Sequence, residues 1–325
     1  MQAESTSNAE GAALLVVEAM LRERGWTVTR IPVSEGRWDV YAETLAAPRV
    51  TFSTHLDTVP PHIPPRVDGG RLWGRGACDA KGIAAAMIGA AEGLATSGVP
   101  SALLFVVGEE VAHDGAHAAN AWAAANAVTS RVLINGEPTE SRLAVGTKGA
   151  IRATVRTEGQ AAHSAYPHLG RSATRDLVHL LAELEGIPLP LDELLGETTI
   201  NIGMLSGGVA DNVVAPWAEA RIMARLVGAA DELQSIIESW SDGRASITWG
   251  AIVPPVRLGV VDGFETCVAA YATDIPELTN WGTPYLFGPG SIHVAHRDDE
   301  HLDISELEGA VAAYERLARA ALKQH

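Results

Sequence analysis

The stretch "SALLFVVGEE" (residues 101–110) is apolar from Ala102 through Val107 and ends, after Gly108, in two glutamates. A run with no polar alternation suits a strand covered on both faces, as in the middle of a parallel sheet. "APRVTFSTH" (47–55) and "RVLINGEPT" (131–139) read the same way. Between these strands lie two alanine-rich helices, "GACDAKGIAAAMIGAAEGLATSG" (76–98) and "GAHAANAWAAANA" (115–127). Strands alternating with helices predict an α/β fold: a mainly parallel sheet with helices on both faces. Upstream, residues 8–25 read as a helix capped by Asn8 or Ser7 and stopped by Gly25, with short strands "TVTRIPV" (27–33) and "DVYAETL" (39–45) after it.

The pattern changes near residue 148. "KGAIRATVRTEG" (148–159) alternates apolar and polar residues, as a half-exposed antiparallel strand does. A helix (170–186), two strands (198–208 and 217–228), a second helix (230–243) and a strand (246–253) follow. This β-α-β-β-α-β order is that of a ferredoxin-like α+β domain. Pro254 and Pro255 mark the return joint. Beyond it, "GFETCVAAYATDIPEL" (263–278) reads as a helix, "TPYLFGPG" (283–290) as strand plus turn, and 303–325 as a C-terminal helix. The expected organisation is a larger α/β domain formed by 1–147 and 255–325, with 148–254 inserted into it.

The bulk numbers agree with a globular chain: 325 residues, 47% hydrophobic and 20% charged. Net charge is −16, which disfavours nucleic-acid and anionic-membrane partners. Two separated cysteines, Cys78 and Cys267, give no disulfide framework. The N-terminal stretch has no basic region before its apolar part, and no apolar run reaches the roughly 20 residues of a membrane span. The expectation is a cytoplasmic protein.

Acids and histidines gather where the apolar strands end. His55 and Asp57 follow the strand at 50, Glu109 and Glu110 the strand at 101, and Glu137 the strand at 131. Asp79 stands at the start of a helix, and His296 follows "GPGSIHVA". Ligands of open α/β sheets gather beyond the carboxyl ends of the strands, so these residues can converge. Converging carboxylates repel one another, and a cation resolves the conflict. Imidazole and carboxylate donors suit Zn²⁺, with Co²⁺ or Mn²⁺ as alternatives. His55, Asp79, Glu110, Glu137 and His296 make five ligands, too many for one catalytic zinc. They suit two metals about 3.5–4 Å apart that share one carboxylate. Each motif alone is weak: Asp79 could simply be an acid at a helix N-terminus, and "GEE" a solvated turn. Their recurrence at successive strand ends carries the argument.

Together, "STHLDTVP", "LWGRGACDAKGIAAAM", "GEE", "NGEPT", "GQAAHSAYPHLGRSA", "GGVADNVVAP" and "GPGSIHVAHRDDE" resemble the zinc aminoacylase and carboxypeptidase family. That group includes acetylornithine deacetylase, succinyl-diaminopimelate desuccinylase, LysW-type lysine hydrolase and the glutamate carboxypeptidases. The resemblance runs from about residue 50 to 300 in the family's order. It implies His55 and Glu137 as terminal ligands of one metal, Glu110 and His296 as those of the other, and Asp79 as the bridge. It implies Glu109 as general base and Asp57 as the carboxylate behind His55. It implies that 148–254 is a lid and dimerisation domain, and that its His163 reaches a partner's site in a homodimer. Asn212, Arg225 and the backbone amides of the Gly288–Pro289–Gly290 loop would contact substrate. The implied activity is hydrolysis of an N-acyl amino acid of the acetylornithine, acetylcitrulline or acetyl-lysine type, in arginine or lysine biosynthesis. Desuccinylase, dipeptidase or carboxypeptidase activity is the alternative. Arg297 stands where a small hydroxyl residue is usual and could tune substrate choice. His62, His113, His117, His293 and His301 read as surface or supporting residues.

Two other classes fare worse. A dinucleotide enzyme needs G-x-G-x-x-G after its first strand, and neither "TVTRIPV" nor "DVYAETL" leads into one. A non-catalytic binding protein on the same fold would have lost a ligand or Glu109, and all are present.

Overall fold

The computed structural model describes all 325 residues and divides into two compact units. Unit 1 comprises Met1–Val145, Arg257–Ala269 and Thr273–His325; unit 2 comprises Gly146–Val256 and Ala270–Ala272. The chain begins with α1 (Gly11–Glu23), β1 (Thr27–Ser34), β2 (Arg37–Glu43), β3 (Val50–His55), β4 (Arg66–Asp68), β5 (Arg71–Trp73), α2 (Lys81–Thr96), β6 (Ser101–Val106), α3 (Asp114–Asn126), β7 (Val132–Asn135) and β8 (Leu143–Thr147). There follow β9 (Gly149–Glu158), α4 (Ala173–Leu184), β10 (Leu191–Asp192), β11 (Gly196–Glu197), β12 (Thr199–Gly207), β13 (Trp217–Leu226), α5 (Ala230–Ser241) and β14 (Ser246–Val253). The chain then closes with β15 (Val256–Arg257), β16 (Thr266–Ala269), β17 (Thr283–Leu286), β18 (His301–Asp303) and α6 (Ile304–Leu322).

The main sheet of unit 1 has the order β1-β2-β6-β3-β7-β17-β8-β15. Its middle is parallel: β3 pairs with β6 and β7, and β7 with β17. Every residue of β3, β6 and β7 is buried, as their unbroken apolar sequences require. Antiparallel β1–β2 and β8 flank this middle. One face is covered by α1, α2 and α6, the other by α3 with Trp281. Helices α2 and α6 pack closely because α2 is small on that side: a Cβ at Gly93 would lie 2.1 Å from Glu315 Oε1. Tyr314 of α6 stacks edge-on against Phe52 and Phe287 and donates its hydroxyl to the Phe287 carbonyl at 2.7 Å. This fixes the segment after β17 against the ends of β3 and β7.

Unit 2 is a four-stranded antiparallel sheet, order β12-β13-β9-β14, with α4 and α5 on one face. Residues of β9 and β13 alternate between that core and an open face, as their sequences do. The edge strand β12 is exposed along nearly its whole length.

Two local expectations are corrected. Residues 263–278 do not form a helix: Thr266–Ala269 form β16, paired with β8, and Pro276 lies in a short 3₁₀ turn. Cys267 and Val268 suit a strand, and sheet pairing outweighs the helix propensity of the alanines. The first helix begins at Gly11, and neither Ser7 nor Asn8 caps it. The Ser7 hydroxyl instead donates to Asp57 Oδ2 at 2.8 Å. A small sheet, β4-β5-β18, was not foreseen, because three-residue strands leave no periodicity to read.

Candidate metal centre

The four parallel strands all point their carboxyl ends to one edge, and that edge carries the acidic and histidine residues. His55 is the last residue of β3, Glu109 and Glu110 follow β6, Glu137 follows β7, and His296 lies in the long loop after β17. Asp79 enters from the loop before α2. Donor atoms of His55, Asp79 and Glu137 lie within 4.8 Å of one another, as do those of Asp79, Glu110 and His296. Asp79 belongs to both groups. His55 Nε2 approaches Asp79 Oδ1 at 2.9 Å, while His296 Nε2 approaches Asp79 Oδ2 at 3.3 Å and Glu110 Oε1 at 2.9 Å. One carboxylate thus turns each oxygen toward a different imidazole.

Asp57 sits behind this group, fully buried. Its backbone carbonyl accepts from His55 Nδ1 at 3.0 Å, which leaves Nε2 facing Asp79. Its carboxylate accepts from the amides of Glu109 and Glu110, both at 3.2 Å. Asp57 therefore orients His55 and also fixes the turn that presents the two glutamates. Gly108 makes that turn possible. It has φ +74°, and a Cβ there would lie 2.0 Å from Asp114 Oδ1.

The electrostatics are those of crowded acids. Burial, reinforced by Glu137, pushes the Glu109 carboxyl well above the usual range. Burial and Asp79 push Glu137 up as well, against the opposing pull of His55. Burial opposes a charge on His55, but the bonds to Asp57 and Asp79 outweigh it and raise its pKa well above the usual value. The bonds from Asp79 and Glu110 raise His296 to about 10. Burial works against ionised Asp79, yet the two imidazoles hold it below the carboxylate range. Protons thus occupy positions that cations would take, and the donor set of two imidazoles and three carboxylates fits two divalent ions.

Other residues fall elsewhere. His163 and Asn212 lie exposed on neighbouring loops of unit 2, where the Ser164 amide donates to the Asn212 carbonyl at 3.0 Å. An open cavity of about 810 Å³ in unit 2 is lined by Ser164, Arg171, Arg175 and Asp211. Arg225 is half-buried on β13, and burial, aided by the charge of Arg152, lowers its pKa. The Gly288 and Gly290 amides are already engaged, by Thr139 Oγ1 at 3.0 Å and Glu306 Oε1 at 2.9 Å. Pro289 has no N–H. Arg297 is exposed and paired with Asp299 at 2.8 Å.

Four further residues carry contacts that the sequence reading does not give. Buried Asp274 accepts from His113 Nδ1 at 2.7 Å, and the pair lies beside Glu109. Asp274 falls in the segment misread as a helix. Ser7, a cap candidate by sequence, bonds Asp57 instead. Arg75 and Glu300, both buried, form an ion pair at 2.7 Å. Glu300 closes "HVAHRDDE", four residues past His296, and that spacing was the available signal.

A mixed α/β sheet with two overlapping clusters of His and carboxylate donors at its carboxyl edge defines a class: dinuclear-type metal hydrolases. Residues 51–320 match the family model for peptidase family M20/M25/M40. The chain belongs to that family and is a metallo-hydrolase. A protein of Paracoccidioides brasiliensis (strain Pb03) described as a probable carboxypeptidase is 40% identical over 368 residues, covering 99% of this chain and 83% of that one. Among solved structures, aminopeptidase PepT of Bacillus cereus superposes with TM-score 0.80 at 18% identity, covering 99% of this chain and 95% of that one. The M20 family metallo-carboxypeptidase Sso-CP2 of Sulfolobus solfataricus gives TM-score 0.76 at 16% identity, with 98% and 96% covered.

Proposed function

We propose that this protein is a two-metal exopeptidase of the carboxypeptidase type, cleaving an amide bond next to a free carboxylate. The observation that carries the reading is Asp79, whose two oxygens face different histidines. His55 and Glu137 would hold one divalent ion, Glu110 and His296 the other, and Asp79 both. Zn²⁺ is the first choice and Co²⁺ the second. Such a pair supplies a polarised carbonyl and a water of lowered pKa. Glu109, presented by the turn after β6, takes a proton from the attacking water and returns it to the leaving amine. Asp57 keeps the Glu109 turn and the His55 ring in place. His163, Asn212 and Arg225 are assigned to substrate, with His163 donating to the developing oxyanion.

The names of the relatives favour a peptide substrate. Deacylation of acetylornithine, acetylcitrulline or acetyl-lysine ranks second. It has the wording of "LWGRGACDAKG" behind it, and it needs the same bond cleaved. The exposed edge strand β12 supports a homodimer through unit 2. No helix is long and apolar enough to cross a membrane, and both cysteines are free, which favours a reducing, cytoplasmic setting.

The deciding experiment is a hydrolysis screen of the zinc- or cobalt-loaded protein. Its panel holds peptides with free and amidated C-termini, dipeptides, succinyl-diaminopimelate and the three acetylated amino acids. Cleavage of free-carboxylate peptides, abolished by a chelator and absent for amidated ones, is expected. Turnover of the acetylated amino acids alone would reverse the ranking. No turnover of any substrate with two metals bound would overturn the reading.

A further inference from the structure

We infer that the Arg75–Glu300 ion pair is a positioning clamp that holds His296 and Asp79 in register for the second cation. The inference rests on the reading of the centre proposed above. His55 and Glu137 are placed directly by the ends of buried strands β3 and β7. His296 has no such support. It lies between β17 and β18, outside any helix or strand, with φ +66°. Something else must fix it.

The pair is built for that task. Arg75 Nη1 donates to Glu300 Oε2 at 2.7 Å, and the two side chains are 1% and 0% exposed. The other Arg75 bonds all go to backbone carbonyls: Nη2 to His296 at 3.4 Å, Nη1 to Arg297 at 3.1 Å and Nε to Pro61 at 3.3 Å. The remaining Glu300 oxygen, Oε1, accepts from the amides of Cys78 and Asp79, each at 3.3 Å. The Glu300 carbonyl accepts from the Gly74 amide at 3.0 Å. One ion pair thus grips the backbone of the Asp79 loop through Glu300 and that of the His296 loop through Arg75. It also reaches the 60–63 loop beyond His55, where the Arg75 amide donates to Ile63 at 3.1 Å.

Stability alone explains this poorly. A buried ion pair costs desolvation that apolar residues of similar size would avoid, so it is weak support for a fold. A planar guanidinium with several N–H donors does supply fixed directions, which a loop ligand needs. The pair is also neutral overall, so it braces an acidic cluster without adding net charge to it. Residues that orient metal ligands typically change metal affinity 10- to 100-fold when replaced.

The test uses the full chain and Co²⁺ as the probe, titrated against a competing chelator and followed by cobalt absorption. The double variant Arg75→Met/Glu300→Gln removes both buried charges together, so neither is left unpaired. It is expected to bind one Co²⁺ about 10- to 100-fold more weakly and the other, which shares only Asp79 with the clamped loops, with a clearly smaller loss, while its far-UV spectrum stays unchanged. Arg75→Lys keeps a cation against Glu300 but loses the fork that reaches the carbonyls. It is expected to show the same selective loss to a smaller degree, and it decides the matter if the double variant does not fold. Two Co²⁺ held with wild-type affinity by a folded variant would overturn the clamp. So would equal weakening of both ions. A wild-type protein that takes up no Co²⁺ would instead sink the metal reading itself, and the clamp with it.

Discussion

Gly108 shows how one residue sets up the chemistry at the edge of the sheet. Its left-handed backbone turns the chain just after β6, and Asp114 and Arg37 occupy the space where a side chain would stand. Gly108→Ala is therefore expected to destabilise the fold by about 1–3 kcal/mol and to lower activity, because Glu109 and Glu110 move with the turn. Thermal denaturation alongside a rate assay checks this. Glu109→Gln should behave differently. The turn and the donor set stay intact, so two metals remain bound while kcat falls at least about 10²-fold. A near-wild-type rate would remove Glu109 from its role.

Four of the titrations at this edge share one sign. His55, His296, Glu109 and Glu137 all have folded pKa values above their ordinary ones. Each group then favours the metal-free fold while protonated, and that contribution is lost as pH rises through the folded value. For His296 the window runs from its ordinary 6.5 to about 10. The depressed values of Asp57 and Asp79 act in the opposite direction, but only in acid. Metal-free protein should therefore lose thermal stability between about pH 6.5 and 10, and metal should restore it. Metal uptake at neutral pH should release protons, measurable by titration in weakly buffered solution.

At the scale of elements, legibility followed burial. β3, β6 and β7 could be read because strands covered on both faces leave unbroken apolar runs. The acids and histidines at their ends could be read because sheet topology, and not local sequence, brings them to one edge. The segment around β16 could not, since its short alanine-rich stretch fits a helix as well until β8 is there to pair with it. Arg75 and Glu300 could not because each takes its meaning from the other, far along the chain. The open face of unit 2 carries a further consequence of pairing. Arg152 on β9 stands opposite Met223, and so lies diagonally between Arg221 and Arg225 of β13. Three cations on one face repel. Arg152→Gln should raise the melting temperature in low salt, and the difference should fade near 0.2 M salt.

At the scale of the molecule, unit 2 is almost one continuous stretch of chain, whereas unit 1 is written in separated pieces. β17 inserts between β7 and β8, and α6 packs on α2, so the centre of unit 1 draws on both ends of the sequence. On the ribosome, residues 1–145 emerge without β17 or the helix α6, and the whole of unit 2 is made before either arrives. Unit 2 can close at once, while the apolar flank of β7 waits. A chain released before Thr283 would keep that flank and the α2 face open to water, and should be recovered bound to chaperones or in aggregates. Both surfaces are hidden only by the 43 residues from Thr283 to His325.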